Sequence, residues 1–99
     1  MKPRRVRFTA AAQQQLDIER TWWIKNRDQR ELFATELERS LAILATHPRV
    51  GRKQRSIRFK RLRRALLRKT LCYIYYTVHA DAVVIRAVWG ARRKRGPRI

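Results

Sequence analysis

Residues 71–93, LCYIYYTVHADAVVIRAVWGARR, constrain the fold of this chain more than any other stretch. Leu71–Val78 and Val83–Trp89 are both rich in β-branched and aromatic residues, which suit a pleated, half-buried surface. The link His79-Ala80-Asp81-Ala82 is short and polar, so it can reverse the chain between them. Two adjacent strands are expected. Alternation puts Cys72, Ile74, Tyr76 and Val78 on one face, with Leu71, Tyr73, Tyr75 and Thr77 on the other. Both faces are largely apolar, so the sheet needs a covering layer on one side and partial masking on the other. Arg86 is the one charge inside the second strand and is expected on the face of Val84 and Val88. After Trp89-Gly90 comes the basic ending Arg92-Arg93-Lys94-Arg95. A hairpin that delivers an arginine cluster to a sheet edge is the feature a functional account must explain.

Upstream, Arg4–Phe8 reads as a short first strand with Val6 and Phe8 pointing inward. Thr9 is the expected N-cap of a helix over Ala10–Lys25. On that helix Ala12, Leu16 and Trp23 form one apolar stripe; Ile18 and Trp22 form a second, nearly opposite. The second stripe has to meet either a neighbouring helix or a partner. Asn26–Arg30 is polar and breaks the pattern. Asp28 is expected to cap the next helix, with Glu31 completing a capping box. Over Gln29–Ala45 the stripe is Phe33, Leu37, Leu41 and Leu44, and Pro48 forbids continuation. The two helices form an antiparallel hairpin. Residues 52–61 alternate Ile57 and Phe59 with Arg58 and Lys60, and read either as an edge strand or as an ordered loop. Leu62–Leu67 is expected to pair with Leu71–Val78 through a turn at Arg68-Lys69-Thr70. The order β-α-α-β-β-β predicts an α+β fold. An N-terminal strand and the helical hairpin precede a mostly antiparallel three- to four-stranded sheet, and the hairpin covers one face.

Ninety-nine residues are expected to make one domain, 1–99. A hydrophobic fraction of 44% with three Gly and three Pro argues against a disordered basic tail. The net charge of +19 is unevenly placed. Up to Pro48 there are nine Lys/Arg against six acids; from Arg49 onward there are seventeen against one, Asp81. Self-repulsion on that scale invites an anionic partner, whether nucleic acid, acidic protein or anionic surface. The single cysteine, Cys72, excludes an internal disulfide framework and reads as a small buried apolar residue. No apolar run approaches the roughly 18 residues of a membrane span. The basic start MKPRRVRF lacks a following hydrophobic region, so no secretory signal and a cytoplasmic location are expected.

The two histidines, His47 and His79, are far apart and Cys72 has no second cysteine, so neither a metal site nor a cofactor is expected. Gly51, Gly90 and Gly96 have the wrong spacing for a phosphate loop. Most acids fall on the helices, where they are expected to serve solubility and the helix dipole. What remains is Tyr73, Tyr75, Tyr76 and Trp89 beside Arg68, Arg86, Arg92 and Arg93. Arginine grips phosphate or carboxylate with two parallel hydrogen bonds, and rings offer stacking surface. The same residues suit an interface with an acidic peptide. Arg86, Arg92, Arg93, Lys94 and Arg95 are therefore the candidate target- or nucleic-acid-binding residues. Alanine at Arg92 and Arg93 is expected to affect function more than folding, because surface substitutions stay within about 0.5 kcal/mol.

Several pieces occur together in a specific order. Phe8-Thr9-Ala10-Ala11 opens a helix, the helical hairpin follows, and His47-Pro48 precedes Gly51. The strand Tyr73-Ile74-Tyr75-Tyr76 comes next, then Ile85 and Val88 ahead of Arg92-Arg93. The pattern resembles the ParE/RelE superfamily of toxins from type II toxin–antitoxin systems, the ParE branch more closely than the RelE branch. The resemblance implies a toxin neutralised by a cognate acidic antitoxin, in a toxin–antitoxin hetero-oligomer and with no membrane partner. Trp22, Tyr73, Tyr75 and Trp89 are the expected antitoxin-binding residues. ParE-like members poison DNA gyrase without being enzymes. RelE-like members are endoribonucleases that cut mRNA on the ribosome, and on that alternative Arg68, Arg92 and Arg93 would carry the chemistry. Nothing after Tyr76 matches the C-terminal tyrosine usual in the nuclease branch, which favours gyrase as the target and a non-enzymatic toxin. A non-catalytic, basic nucleic-acid-binding module is the third reading. One departure stands out: where many relatives carry a histidine two residues before the paired arginines, this chain has Gly90.

Overall fold

The computed structural model describes residues 2–99. In chain order the elements are β1 (Arg5–Phe8), α1 (Ala10–Asn26), α2 (Leu32–Thr46), a 3-10 turn (Pro48–Val50), β2 (Arg52–Lys53), β3 (Arg63–Leu67), β4 (Cys72–Val78) and β5 (Ala82–Gly90). They form one five-stranded sheet in the order β1-β5-β4-β3-β2. Only β1, parallel to β5, departs from antiparallel pairing. The helices pack on one face of the sheet, so the expected α+β architecture is present.

The β4–β5 hairpin is the centre of the sheet. Cys72, Ile74 and Tyr76 face the helices beside Gly90, Val88 and Ile85, their partners across the ladder. Tyr73, Tyr75 and Thr77 face the other way, opposite Trp89, Ala87 and Val84. The alternation along β4 is thus as the sequence implies. On β5 it fails at one point. A β-bulge shifts the register between Tyr75 and Tyr76, so the partner of Tyr75 is Ala87 and that of Tyr76 is Ile85. Arg86 is the extra residue. It stays with Val84 on the open face, while Val88 is turned into the core, contrary to the expectation that all three share a face.

Leu71 is not in the strand. It ends the β3–β4 turn at a φ of 56°, a left-handed conformation unusual for leucine. Its N–H donates to Leu67 O and its carbonyl accepts from Ala91 N, both at close range (2.7 and 2.8 Å). The turn and the chain leaving β5 are thereby joined.

Thr9 caps α1 as expected, its Oγ1 accepting from Ala12 N at 3.1 Å. Beyond Phe8, where β1 stops covering β5, α1 takes over the edge. Gln15 Oε1 accepts from Val88 N at 2.8 Å. α2 begins at Leu32 after a turn, with Glu31 as N-cap and no side-chain cap bond, so the Asp28–Glu31 capping box does not form. The acid that matters on α2 is Glu36. Its carboxylate accepts from Lys69 N, Thr70 N and Thr70 Oγ1 at 2.7–2.9 Å, fastening the β3–β4 turn to the helix. Of residues 52–61, left open between strand and loop by their sequence, Arg52–Lys53 form the short β2 and 54–61 are a loop; buried Leu62, expected to begin a strand, anchors the end of that loop, and β3 starts at Arg63.

Tyr76 ties the sheet to the turn after α2. Its hydroxyl donates to Pro48 O (2.6 Å) and accepts from Gly51 N (2.9 Å). A Cβ at Gly51 would lie 2.9 Å from both the tyrosine ring and Arg64 O, which is why only glycine fits there. Burial pushes the Tyr76 hydroxyl up from its ordinary pKa, against the opposing effect of its Gly51 N–H bond.

Candidate functional site

Four side chains on α1 line up at the spacing of one buried helical face: Ala12, Leu16, Glu19 and Trp23. Three are apolar. Glu19 is a carboxylate with no exposed surface at all. Leaving such a group unpaired in the interior is costly, so its partners define the site. Arg92 Nη1 donates to Glu19 Oε2 at 2.7 Å, and Arg93 Nη2 stands 3.7 Å from Oε1. The chain places both arginines by turning sharply after β5, with Arg93 N donating to Gly90 O.

Gly90 explains how the carboxylate fits. It pairs with Cys72 at the end of the hairpin and faces α1. A Cβ there would sit 2.8 Å from Glu19 Oε1 and 3.2 Å from Oε2, and would also meet the Arg92 guanidinium. The missing side chain is the space the ion pair occupies. A histidine at this position is incompatible with that packing.

The arginines are held on their other side by rings. Arg92 Cζ lies 3.9 Å from the centroid of Trp22, which also carries Arg27 at 5.1 Å. Arg93 Cζ lies 4.2 Å from the centroid of Trp89, whose Nε1 donates to Arg95 O. Such cation–π pairs are worth about 0.5–2 kcal/mol each depending on desolvation. Each guanidinium is thus fixed between a carboxylate and an indole, while Lys94 and Arg95 stay exposed. The surface is oriented cationic groups on an aromatic floor, suited to an anionic macromolecule.

Of the residues singled out from sequence, Trp22, Trp89, Arg92 and Arg93 come together here, and Tyr73 lies across the ladder from Trp89. Arg86 does not join them. Its Nε donates to Thr77 Oγ1 at 3.2 Å and its guanidinium covers Phe59 at 4.5 Å, further along the open face. Arg68 and Tyr73 line a separate groove of about 480 Å³ between α2 and β3, with Ile43, Val50 and Leu66 as apolar lining and Arg52 and Arg64 beside them. Tyr75 stacks at a tilt on Tyr73. The expected second stripe of α1 is not buried: Ile18 is exposed and Trp22 is covered by arginines.

Two corrections concern charge. The acids on the helices are not all solubility groups, since Glu19 and Glu36 are the anchors just described. The Arg92-Arg93 pair is not a loose surface cluster, because Glu19 holds it. Glu19 was visible in the sequence as an acid in the middle of an apolar stripe, at positions 12, 16, 19 and 23. Beneath the site lies Cys72, fully buried, whose thiol is pushed up to about 12 chiefly by desolvation and next by the charge of Glu19.

Residues 6–95 match the family model described as the ParE toxin of type II toxin–antitoxin systems, parDE. A solved chain from the chromosomal ParDE toxin–antitoxin system of P. aeruginosa has the same fold. Its TM-score is 0.70 at 12% identity, over 91% of this chain and 98% of that one. No curated protein matches the sequence.

Proposed function

The chain belongs to the ParE toxin family of type II toxin–antitoxin systems, and from that membership we propose that it inhibits DNA gyrase and is held in check by an acidic antitoxin. The observation that carries the target half is the anchored pair Arg92 and Arg93. Their guanidinium groups are pre-set by Glu19 and two indoles, so little side-chain entropy is lost when they meet an anionic surface. Lys94 and Arg95 extend the same surface. The protein acts as a binder in this reading, and its place of action is the cytoplasm, where gyrase works.

The antitoxin half rests on the groove between α2 and β3. β2 reaches only Arg63 and Arg64 of β3, so the outer edge at Ala65–Leu67 is left beside exposed Ile43 and Leu66. An added strand takes its affinity from the main chain and its specificity from alternate side-chain pockets. Arg52, Arg64 and Arg68 around the groove select acidic side chains, and Tyr73 at its border is shared with the earlier expectation.

Purified toxin in a gyrase supercoiling assay should block supercoiling and trap cleaved DNA. The Arg93→Ala/Lys94→Ala/Arg95→Ala variant, which spares the 2.7 Å Glu19–Arg92 bond, should inhibit far less. Full supercoiling at a large excess of folded wild-type toxin refutes the target. Ile43→Asp/Leu66→Asp should remain toxic while escaping neutralisation by the cognate antitoxin. Normal neutralisation of that variant refutes the groove.

A further inference from the structure

At the opposite end of β4 from Glu19 lies a second concentration of charge. Residues 49–64 hold nine Lys/Arg and no acid. Five of these cations, Arg49, Lys53, Lys60, Arg61 and Arg63, line one depression of about 450 Å³, with Leu62 and Val78 as its apolar lining. Among the described residues both ion pairs belong to Glu19, at the other end of the sheet. The one acid of this half, Asp81, sits in the β4–β5 turn towards β1, where its carbonyl accepts from Arg5 N. Among the described residues none of the five cations is in an ion pair.

The depression is built, not incidental. Arg63 Nη1 donates to Arg49 O at 3.0 Å and Gly51 O at 2.7 Å. Tyr76 holds the same turn from below through Pro48 O and Gly51 N. The turn that carries Arg49 is therefore fixed against the sheet before any ligand arrives.

We propose that this depression is a phosphate cradle through which the protein grips the backbone of duplex DNA directly, without gyrase as intermediary. A polyanion with repeating charges fits because Arg52, Arg55 and Arg58 are interleaved in sequence with the cations of the cradle. The duplex is favoured over a single strand for two reasons. No aromatic ring lines the cradle to stack a base. On the open face Phe59, Tyr73 and Trp89 already carry Arg86, Arg64 and Arg93. An acidic protein partner is disfavoured by the small apolar lining, which offers no pocket for an anchor residue.

The test uses the full chain, a fluorescein-labelled 25-base-pair duplex of random sequence, and no gyrase. Anisotropy titrations run from 50 to 300 mM salt. Neutralising two phosphates contributes about −1.8 to the slope of log K against log salt. The variant Arg49→Gln/Lys53→Gln/Lys60→Gln/Arg61→Gln spares Arg63 and changes only exposed side chains. It should lose about 1.8 of that slope and at least about tenfold in affinity at 0.1 M salt. An equally neutralised control on the helices and the turn between them, Arg20→Gln/Lys25→Gln/Arg30→Gln/Arg39→Gln, should lose less than threefold. Equal losses in the two variants, or no binding at 0.1 M salt, overturn the proposal. So does a single-stranded RNA or an acidic peptide that depends on the cradle more than the duplex does. Because gyrase is absent, this result is separate from the supercoiling assay.

Discussion

Replacing Arg92 with alanine tests the buried ion pair most directly. Glu19 stays in the interior with Arg93 at 3.7 Å as its remaining cation. Breaking a buried pair from one side costs about 3–5 kcal/mol, because the surviving charge is uncompensated. Arg92 is 35% exposed in its side chain and Arg93 stays close, so the low end applies, about 3 kcal/mol. In a domain of this size that lowers Tm by about 12–24 °C. Glu19→Gln removes the charge but keeps an acceptor for Arg92, and should cost about 1 kcal/mol, the difference between a charged and a neutral hydrogen bond. Once Glu19 is neutral, removing Arg92 strands no charge. The double variant Glu19→Gln/Arg92→Ala should therefore cost about 2 kcal/mol, well under the sum of the two single changes. Urea unfolding followed by far-ultraviolet circular dichroism gives all three values. An Arg92→Ala variant within about 0.5 kcal/mol of wild type, or strict additivity in the cycle, refutes the reasoning. The same numbers explain why loss of toxicity in Arg92→Ala alone does not identify a target contact.

Gly90→Ala should destabilise by about 1–3 kcal/mol, since its methyl would press on Glu19 Oε1, and combining it with Glu19→Ala should restore part of the loss; thermal melts read both. Leu71→Gly should raise stability by about 0.5–1 kcal/mol by relieving the left-handed backbone at an exposed position, and a lower Tm would mean that the leucine side chain contributes more than its strain costs. Stability should fall as pH rises above about 9. There the unfolded chain ionises its thiol while native Cys72, with its pKa near 12, keeps the proton, so the native state binds more protons and loses up to about 1.4 kcal/mol per pH unit. Tyr76, raised by burial, adds to the loss above its ordinary range, and Cys72→Ala should flatten the urea-midpoint profile between pH 9 and 11. At pH 8 native Cys72 should react with a disulfide reagent only at the rate of unfolding, and rapid labelling of the folded protein would contradict its burial.

The hairpin, the helical pair and the N-cap at Thr9 were legible because each is a local pattern: period two in β4, apolar spacing in α2, a hydroxyl before a helix. The errors share a different cause. The bulge at Arg86 depends on how β5 meets β4, and nothing in VVIRAVW marks which residue is left unpaired. Glu31 fails to form a capping box because the chain makes a turn through Asp28–Glu31 before α2 begins. Leu71 adopts a conformation that leucine disfavours, since its N–H is committed to the turn bond with Leu67 O and its carbonyl to the tertiary bond with Ala91 N. The site was half legible. Trp22, Trp89, Arg92 and Arg93 were singled out by type and density, yet what brings them together is a carboxylate that local reasoning assigned to solvent.

That carboxylate also resolves a difficulty in the charge distribution. Two adjacent arginines at the end of a chain carrying +19 repel each other and every neighbouring cation. On a flexible tail they would spread apart, and a partner would have to gather them. Burying Glu19 beneath them reverses the local sign, so that the two guanidinium groups converge on one point instead of avoiding each other. The arrangement depends on Gly90, because any side chain there would fill the volume the ion pair needs. It depends also on Trp22 and Trp89, whose faces take the outer side of each guanidinium. Glu19 and Gly90 therefore form one unit with the arginines, and a histidine at position 90 is compatible with this site only if residue 19 is no longer a buried carboxylate. The two replacements made together, Gly90→His with Glu19→Ala, should fold where Gly90→His alone does not. Recovery of a cooperative melt only in the double variant is the expected result, and equal behaviour of the two variants would show that the carboxylate and the glycine are not coupled.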